Sequence, residues 1–160
     1  MLKLIGAAVI AFACAFAVTE LSRQNKKRTA ECEGFLELLY LIRTRIADFS
    51  EPLVSIYSDF SNPALDGVGF TAALARGDFA AALDECRERL TLDRESFEML
   101  CSFARELGMS YRSEQLSSCD RYIAELEARR AYSRTESTRK TKLACSLTVT
   151  FGLMLIIMLV

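Results

Sequence analysis

Two long uncharged runs frame this chain, and between them apolar residues recur every three or four positions. The first run is Leu4 to Val18, and the second is Leu143 to Val160. From Glu31 to Phe49 the residues Phe35, Leu38, Leu39, Ile42, Ile46 and Phe49 form one stripe at helical spacing, the face a helix turns toward a core. Ser50-Glu51-Pro52 restarts the chain as a capping serine with proline in the first turn, where its missing N–H costs nothing. A short helix through Leu53, Ile56, Tyr57 and Phe60 then stops at Ser61-Asn62-Pro63, and Asp66-Gly67-Val68-Gly69 reads as a loop.

Phe70 to Ala75 predicts another short helix, ended by Gly77. Asp78 caps a helix carrying Phe79, Ala82, Leu83, Cys86 and Leu90, and Asp93 caps one holding Phe97, Leu100, Cys101, Ala104 and Leu107. Gly108 suits the left-handed position that closes such a helix. Ser110 starts the last helix, with Leu116, Cys119, Ile123 and Leu126 on one face, set to pack against the Phe35–Ile46 stripe. No glycine or proline interrupts the chain from Met109 until Gly152, so this helix is expected to continue into the second apolar run. The pattern predicts an all-α protein, with a helical bundle over 23–142 between transmembrane helices over 1–22 and 143–160.

The second run has 18 residues, about 27 Å as a helix against a hydrocarbon core of about 30 Å. The first has 15, six of them alanine, a length that also fits the apolar region of a signal peptide. Ala13-Cys14-Ala15 faintly resembles a cleavage site, and Cys14 a lipoprotein cysteine. Against cleavage, only Lys3 precedes the run, while Arg23, Lys26, Lys27 and Arg28 follow it. Arg139, Lys140 and Lys142 stand before the second run. Basic residues stay on the cytoplasmic side, so both clusters place the intervening body in the cytosol and both termini across the membrane. Ala7, Ala11 and Ala15 share one face of the first run, and Ala144, Thr148 and Gly152 one face of the second. Small faces let helices approach in a bilayer, although an alanine-rich sequence produces the spacing by chance too. Two spans cannot line a wide pore without many copies, which makes a homo-oligomer one expectation.

Charge sharpens this picture. Thr29 to Glu127 holds nine basic and 19 acidic residues, a net of −10, whereas Ala128 to Lys142 holds six basic residues and only Glu136. The basic collars suit anionic lipid, and the acidic body argues against nucleic acid as its partner. The chain has no histidine, which removes the usual general base and the commonest metal ligand. Its six cysteines form no C-x-x-C pair, and no glycine-rich phosphate loop is present. No catalytic, cofactor or metal residues are assigned. Glu31, Glu33, Glu37, Asp84, Glu85 and Glu88 fall on faces that periodicity gives to solvent, and as a set they are candidates for steering a basic partner. For any one of them, a solubilising surface is the plainer reading.

Several patterns resemble one family. Met1-Leu2-Lys3-Leu4-Ile5-Gly6-Ala7 is similar to the start of the stage III sporulation protein AB family of endospore-forming bacteria. Ile46 to Phe60, with Pro52-Leu53, resembles its turn-Pro-Leu entry to a second cytosolic helix. Phe97 to Gln115 resembles its glutamate-rich helix ending in Leu107-Gly108, with Ser110 and Gln115 beyond. Ala104 departs from a glycine and Tyr111 from an aspartate, and Asn62 to Leu90 agrees only in hydrophobic pattern. The family is similar to the F-protein domain of type II secretion and type IV pilus machines. The resemblance implies a non-enzymatic inner-membrane platform in the channel between mother cell and forespore. The implied partners are a secretion-type ATPase and other channel-complex membrane proteins. A membrane-anchored helical adaptor unrelated to secretion, and a secreted or lipid-anchored protein cleaved near Cys14, are the competing readings.

Overall fold

The computed structural model describes residues 2–48, 52–109 and 111–159, with side chains described only in part within 2–18 and 136–159. Among the described residues there are seven helices and no strand. They are α1 (Leu2–Asp48), α2 (Leu53–Asp59), α3 (Pro63–Asp66), α4 (Phe70–Arg76), α5 (Phe79–Cys86), α6 (Arg94–Glu106) and α7 (Arg112–Leu159). The all-α expectation is met. The chain divides into two compact units, one of residues 1–26 with 132–160 and the other, the bundle, of residues 27–131. Among the described residues no helix is long and apolar enough to cross a membrane. The expected spans, Leu4–Val18 and Leu143–Val160, lie largely outside the described side chains. Phe49, Ser50 and Ser110 also lie outside the described residues.

In the bundle the stripe on α1 is the core face: Phe35, Leu38, Leu39, Ile42 and Ile46 are all buried. On α7, Cys119, Tyr122, Ile123 and Leu126 are buried and Leu116 is half-buried against the same core. The two helices run antiparallel side by side. Glu33 meets Arg130, the Tyr40 hydroxyl donates to Glu127 (2.7 Å), Arg43 meets Asp120, and Arg112 donates to the Ala47 carbonyl. Between them, Phe35, Phe70, Phe79, Phe103 and Tyr122 form a chain of ring contacts with centroids 4.9–6.4 Å apart. That chain visits α1, α4, α5, α6 and α7 in turn.

Three local expectations are corrected. Pro52 is the residue before α2, extended at φ −66° and ψ 140°, and is not in the first turn; its carbonyl accepts the Ser55 amide at 3.0 Å. Ser61-Asn62-Pro63 starts a turn of helix as well as ending one. The Asn62 side chain accepts the amides of Ala64 (3.0 Å) and Leu65 (3.4 Å), Pro63 fits the first position, and Leu65 and Val68 are buried. On α6 the core face is Ser96, Met99, Leu100 and Phe103, while Phe97, Cys101, Ala104 and Leu107 are only half-buried. Helical spacing alone left two adjacent stripes open, and burial of Phe103 between Phe79 and Tyr122 selects one of them. Asp78 and Asp93 cap α5 and α6 as expected, and Gly108 takes the left-handed conformation at φ +83°.

Asn62 reaches α1 because position 34 has no side chain. A Cβ there would lie 2.8 Å from Asn62 Oδ1 and 2.9 Å from Leu65 Cγ, both closer than carbon tolerates. Helix propensity alone favours Gly34→Ala by about 1 kcal/mol. The steric conflict reverses the sign, and the variant should destabilise the bundle by about 1–3 kcal/mol in denaturant titration. A stabilised variant would show that α3 does not sit against α1 there. Leu126→Ala, at a fully buried site, should cost about 2–5 kcal/mol in the same titration.

Candidate functional site

The six acidic candidates divide into two groups with different fates. On α1, Glu31 is fully buried, which corrects its assignment to solvent. It stands four residues before Phe35, one turn along the core stripe itself, so the spacing that located the stripe also signals this position. Its Oε2 accepts the Thr91 amide at 2.7 Å, anchoring the segment that joins α5 to α6. Glu31 Oε1 and Thr91 Oγ1 are buried and lack a hydrogen-bond partner among the described residues. Glu33 is paired with Arg130, and Glu37 accepts a hydrogen bond from Asn62 Nδ2 at 2.7 Å. All three α1 carboxylates therefore have partners within the bundle.

The second group surrounds α5. Glu85 takes both of its oxygens to Arg76, at 2.8 and 3.0 Å. Asp84 and Glu88 are exposed and make no ion pair among the described residues. Glu33 and Glu85 are thus tied up within the bundle: Glu33 meets Arg130 on the returning α7, and Glu85 meets Arg76 at the end of α4.

The basic positions are likewise shared between two tasks. Arg28 pairs with Asp93 at 2.7 Å, and Arg129 reaches Glu95 at 2.6 Å and Glu125 at 3.0 Å. Together with Arg130–Glu33, these bonds girdle the end of the bundle where α1 enters and α7 leaves. Arg23, Lys26, Lys27 and Arg139 remain exposed. Burial alone would raise the Asp93 carboxyl, but hydrogen bonds from Ser96 and the Arg28 guanidinium outweigh it and hold the group below its ordinary range. With its folded value depressed, its contribution to stability is complete above the ordinary carboxylate range and is lost as the pH falls through the folded value.

Four residues escaped sequence reasoning. Glu106 receives the Tyr122 hydroxyl at 2.8 Å and pairs with Arg121 at 2.8 Å, tying the outer end of the ring chain to the surface. Val54, Met109 and Tyr111 are large apolar side chains left in water at one end of the bundle. Apolar residues beside a helix-ending glycine were the available signal. Among the described residues no group of three or more potential metal ligands is assembled. Burial raises the thiols of Cys32 and Cys119 to about 11 and pushes Cys86 and Cys101 upward as well, so these four stay protonated at neutral pH.

The polar surface of the bundle is thus partly consumed by its own cross-links and partly left open. The chain belongs to the stage III sporulation protein AB family, since the family model described as Stage III sporulation protein AB (spore_III_AB) matches residues 3–160. No curated protein and no solved structure matches it. Membership gives the chain a role in stage III of sporulation, in a family that is generally not enzymatic.

The structural role of Glu31 is directly measurable. Glu31→Gln keeps an acceptor for the Thr91 amide, so its stability should stay close to that of the parent. Glu31→Leu leaves the buried Thr91 amide unpaired and should cost about 1–3 kcal/mol. Equal stability of the two variants would return Glu31 to the surface.

Proposed function

We propose that this chain is a non-enzymatic inner-membrane platform of the channel complex between mother cell and forespore, one that receives a cytosolic secretion-type ATPase on its bundle. The carrying observation is the division of open charge. Asp84 and Glu88 present uncompensated acid on the bundle, while Arg23, Lys26, Lys27 and Arg139 remain as exposed cations on the segments that lead out of it. Acid on the bundle attracts a basic partner, and cations on those segments suit an anionic inner leaflet.

The membrane reading has further support on α7. Leu143, Leu147, Phe151 and Met154 are exposed at spacings of four, four and three, an apolar face that calls for lipid or protein cover. Tyr132, 71% exposed near the Arg129–Arg139 cations, has the amphipathic character of an interface residue. In this reading residues 1–22 and 143–160 cross the membrane, the bundle is cytosolic, and both termini lie outside. Other channel-complex membrane proteins and further copies of the chain are its neighbours in the bilayer.

Orientation is best tested with an introduced thiol, because Cys32, Cys86 and Cys119 are buried. Ala72→Cys, at an exposed position, should resist a membrane-impermeant maleimide in intact cells and react after permeabilisation. Labelling in intact cells would place the bundle outside and favour the cleaved, exported reading.

Binding of the purified cognate ATPase should weaken as salt rises from about 0.05 to 0.5 M, a range over which the Debye length falls from about 14 to 4 Å. Asp84→Lys with Glu88→Lys should weaken it further with unchanged helical content. Absence of binding at every salt concentration would favour a membrane-anchored adaptor.

A further inference from the structure

The end of the bundle away from its charged girdle carries an apolar surface with no internal use. Within residues 27–131, four large apolar side chains are exposed among those described: Tyr40, Val54, Met109 and Tyr111. Tyr40 is accounted for by its hydroxyl bond to Glu127. The other three lie on segments that neighbour one another. Val54 follows Leu53, and a Cβ on Gly108 would sit 3.5 Å from Leu53 Cδ1, so the start of α2 lies against the α6–α7 connection. Arg112 donates to the Ala47 carbonyl, which brings Tyr111 to the end of α1 as well.

Exposure here is high: 70% for Val54, 83% for Met109 and 84% for Tyr111. Single exposed apolar residues are ordinary, but three gathered at one end are not. Gly108 turns the chain at φ +83°, the Met109 amide donates to the Glu106 carbonyl at 3.2 Å, and Leu53 and Leu107 are half-buried against the core.

The rim decides what kind of partner fits. Asp48 and Glu114 are exposed beside the cluster. Arg45 is met by Asp59 at 3.9 Å, while Arg112 donates to the neutral Ala47 carbonyl and keeps its charge, so the two carboxylates outnumber it and the rim is acidic by one charge. We propose that Val54, Met109 and Tyr111 form a docking surface for an apolar knob ringed by lysine and arginine on a separate cytosolic protein. A second copy of this chain would bring the same acidic rim against itself, which like charges oppose. The inference rests on the platform reading above, and takes the motor as the partner that carries the knob. Along α1 the cluster lies about 30 Å from the entry at Lys27, at 1.5 Å per residue, so this end stands clear of the girdle. Asp84 and Glu88 then set the rate of encounter, and the apolar end sets how long the complex lasts.

The test uses the full chain in nanodiscs containing phosphatidylglycerol and the purified cognate ATPase, with association and dissociation followed separately. Val54→Asp falls in the first turn of α2, where a carboxylate is tolerated, and Met109→Asp falls in a loop. Together they should weaken binding about tenfold or more through faster dissociation, with the deficit persisting in high salt. Met109→Leu should stay within about twofold. Asp48→Lys with Glu114→Lys should slow association, and only at low salt. The unfolding midpoint of each variant should match the parent, which separates docking from folding. Unchanged dissociation in the double variant, with binding lost on Asp84→Lys and Glu88→Lys, overturns the docking surface and leaves the platform reading standing. Failure of the parent chain to bind overturns both. A concentration-dependent dimer of the parent that Met109→Asp dissolves also overturns the inference, in favour of self-association.

Discussion

The rings of Phe35, Phe70, Phe79, Phe103 and Tyr122 are the contact on which the bundle depends. Four of its helices, α2 to α5, have only four to eight residues. Helices that short do not persist in water, because nucleation costs more than so few hydrogen bonds return. They exist here because their apolar faces are held between α1 and α7. Phe70 and Phe79 meet Phe35 on one side, and Phe103 carries the contact on to Tyr122. Edge-to-face pairs of this kind add about 0.5–1.5 kcal/mol each beyond the area they bury. The side-chain caps at Asn62, Asp78 and Asp93 then satisfy the amides that such short helices leave open.

Around this core the charges are organised by what faces them. Where α7 returns beside α1, acids and bases meet in pairs, as with Glu33 and Arg130 or Asp120 and Arg43. Exposed pairs of this type contribute little stability individually. Their consequence is selective: they tie up Glu33 and Glu85, whereas Asp84 and Glu88 make no ion pair among the described residues. Glu31 goes further, since its burial makes it a strut between α1 and Thr91.

In this member of the stage III sporulation protein AB family, residues 1–26 with 132–160 form a unit of their own, which carries the exposed apolar face of α7. The girdle of Arg28, Asp93, Glu95, Arg129 and Arg130 braces the bundle at the point where both long helices pass through it. Asp84 and Glu88, and the side chains of Val54, Met109 and Tyr111, remain exposed on the bundle.

Much of the fold was legible in the chain. The Phe35–Ile46 stripe, the Asp78 and Asp93 caps, the Gly108 stop and the uninterrupted last helix all follow from local rules: 3.6-residue periodicity, capping chemistry and the steric freedom of glycine. Belonging to the family was legible too, in short motifs spread over most of the sequence. What local rules do not contain is the identity of the neighbour across the core. Phe103 or Phe97 as the inner face of α6, Asn62 as the start of a helix beside Gly34, and Glu31 as a buried acceptor were all decided by packing between distant segments. The charge set shows the limit most clearly. Periodicity places Glu33, Glu37, Asp84, Glu85 and Glu88 on polar faces, but only the return of α7 and the approach of α4 determine which of them meet an arginine. A residue's spacing is a property of its own helix, whereas its partner is a property of the fold.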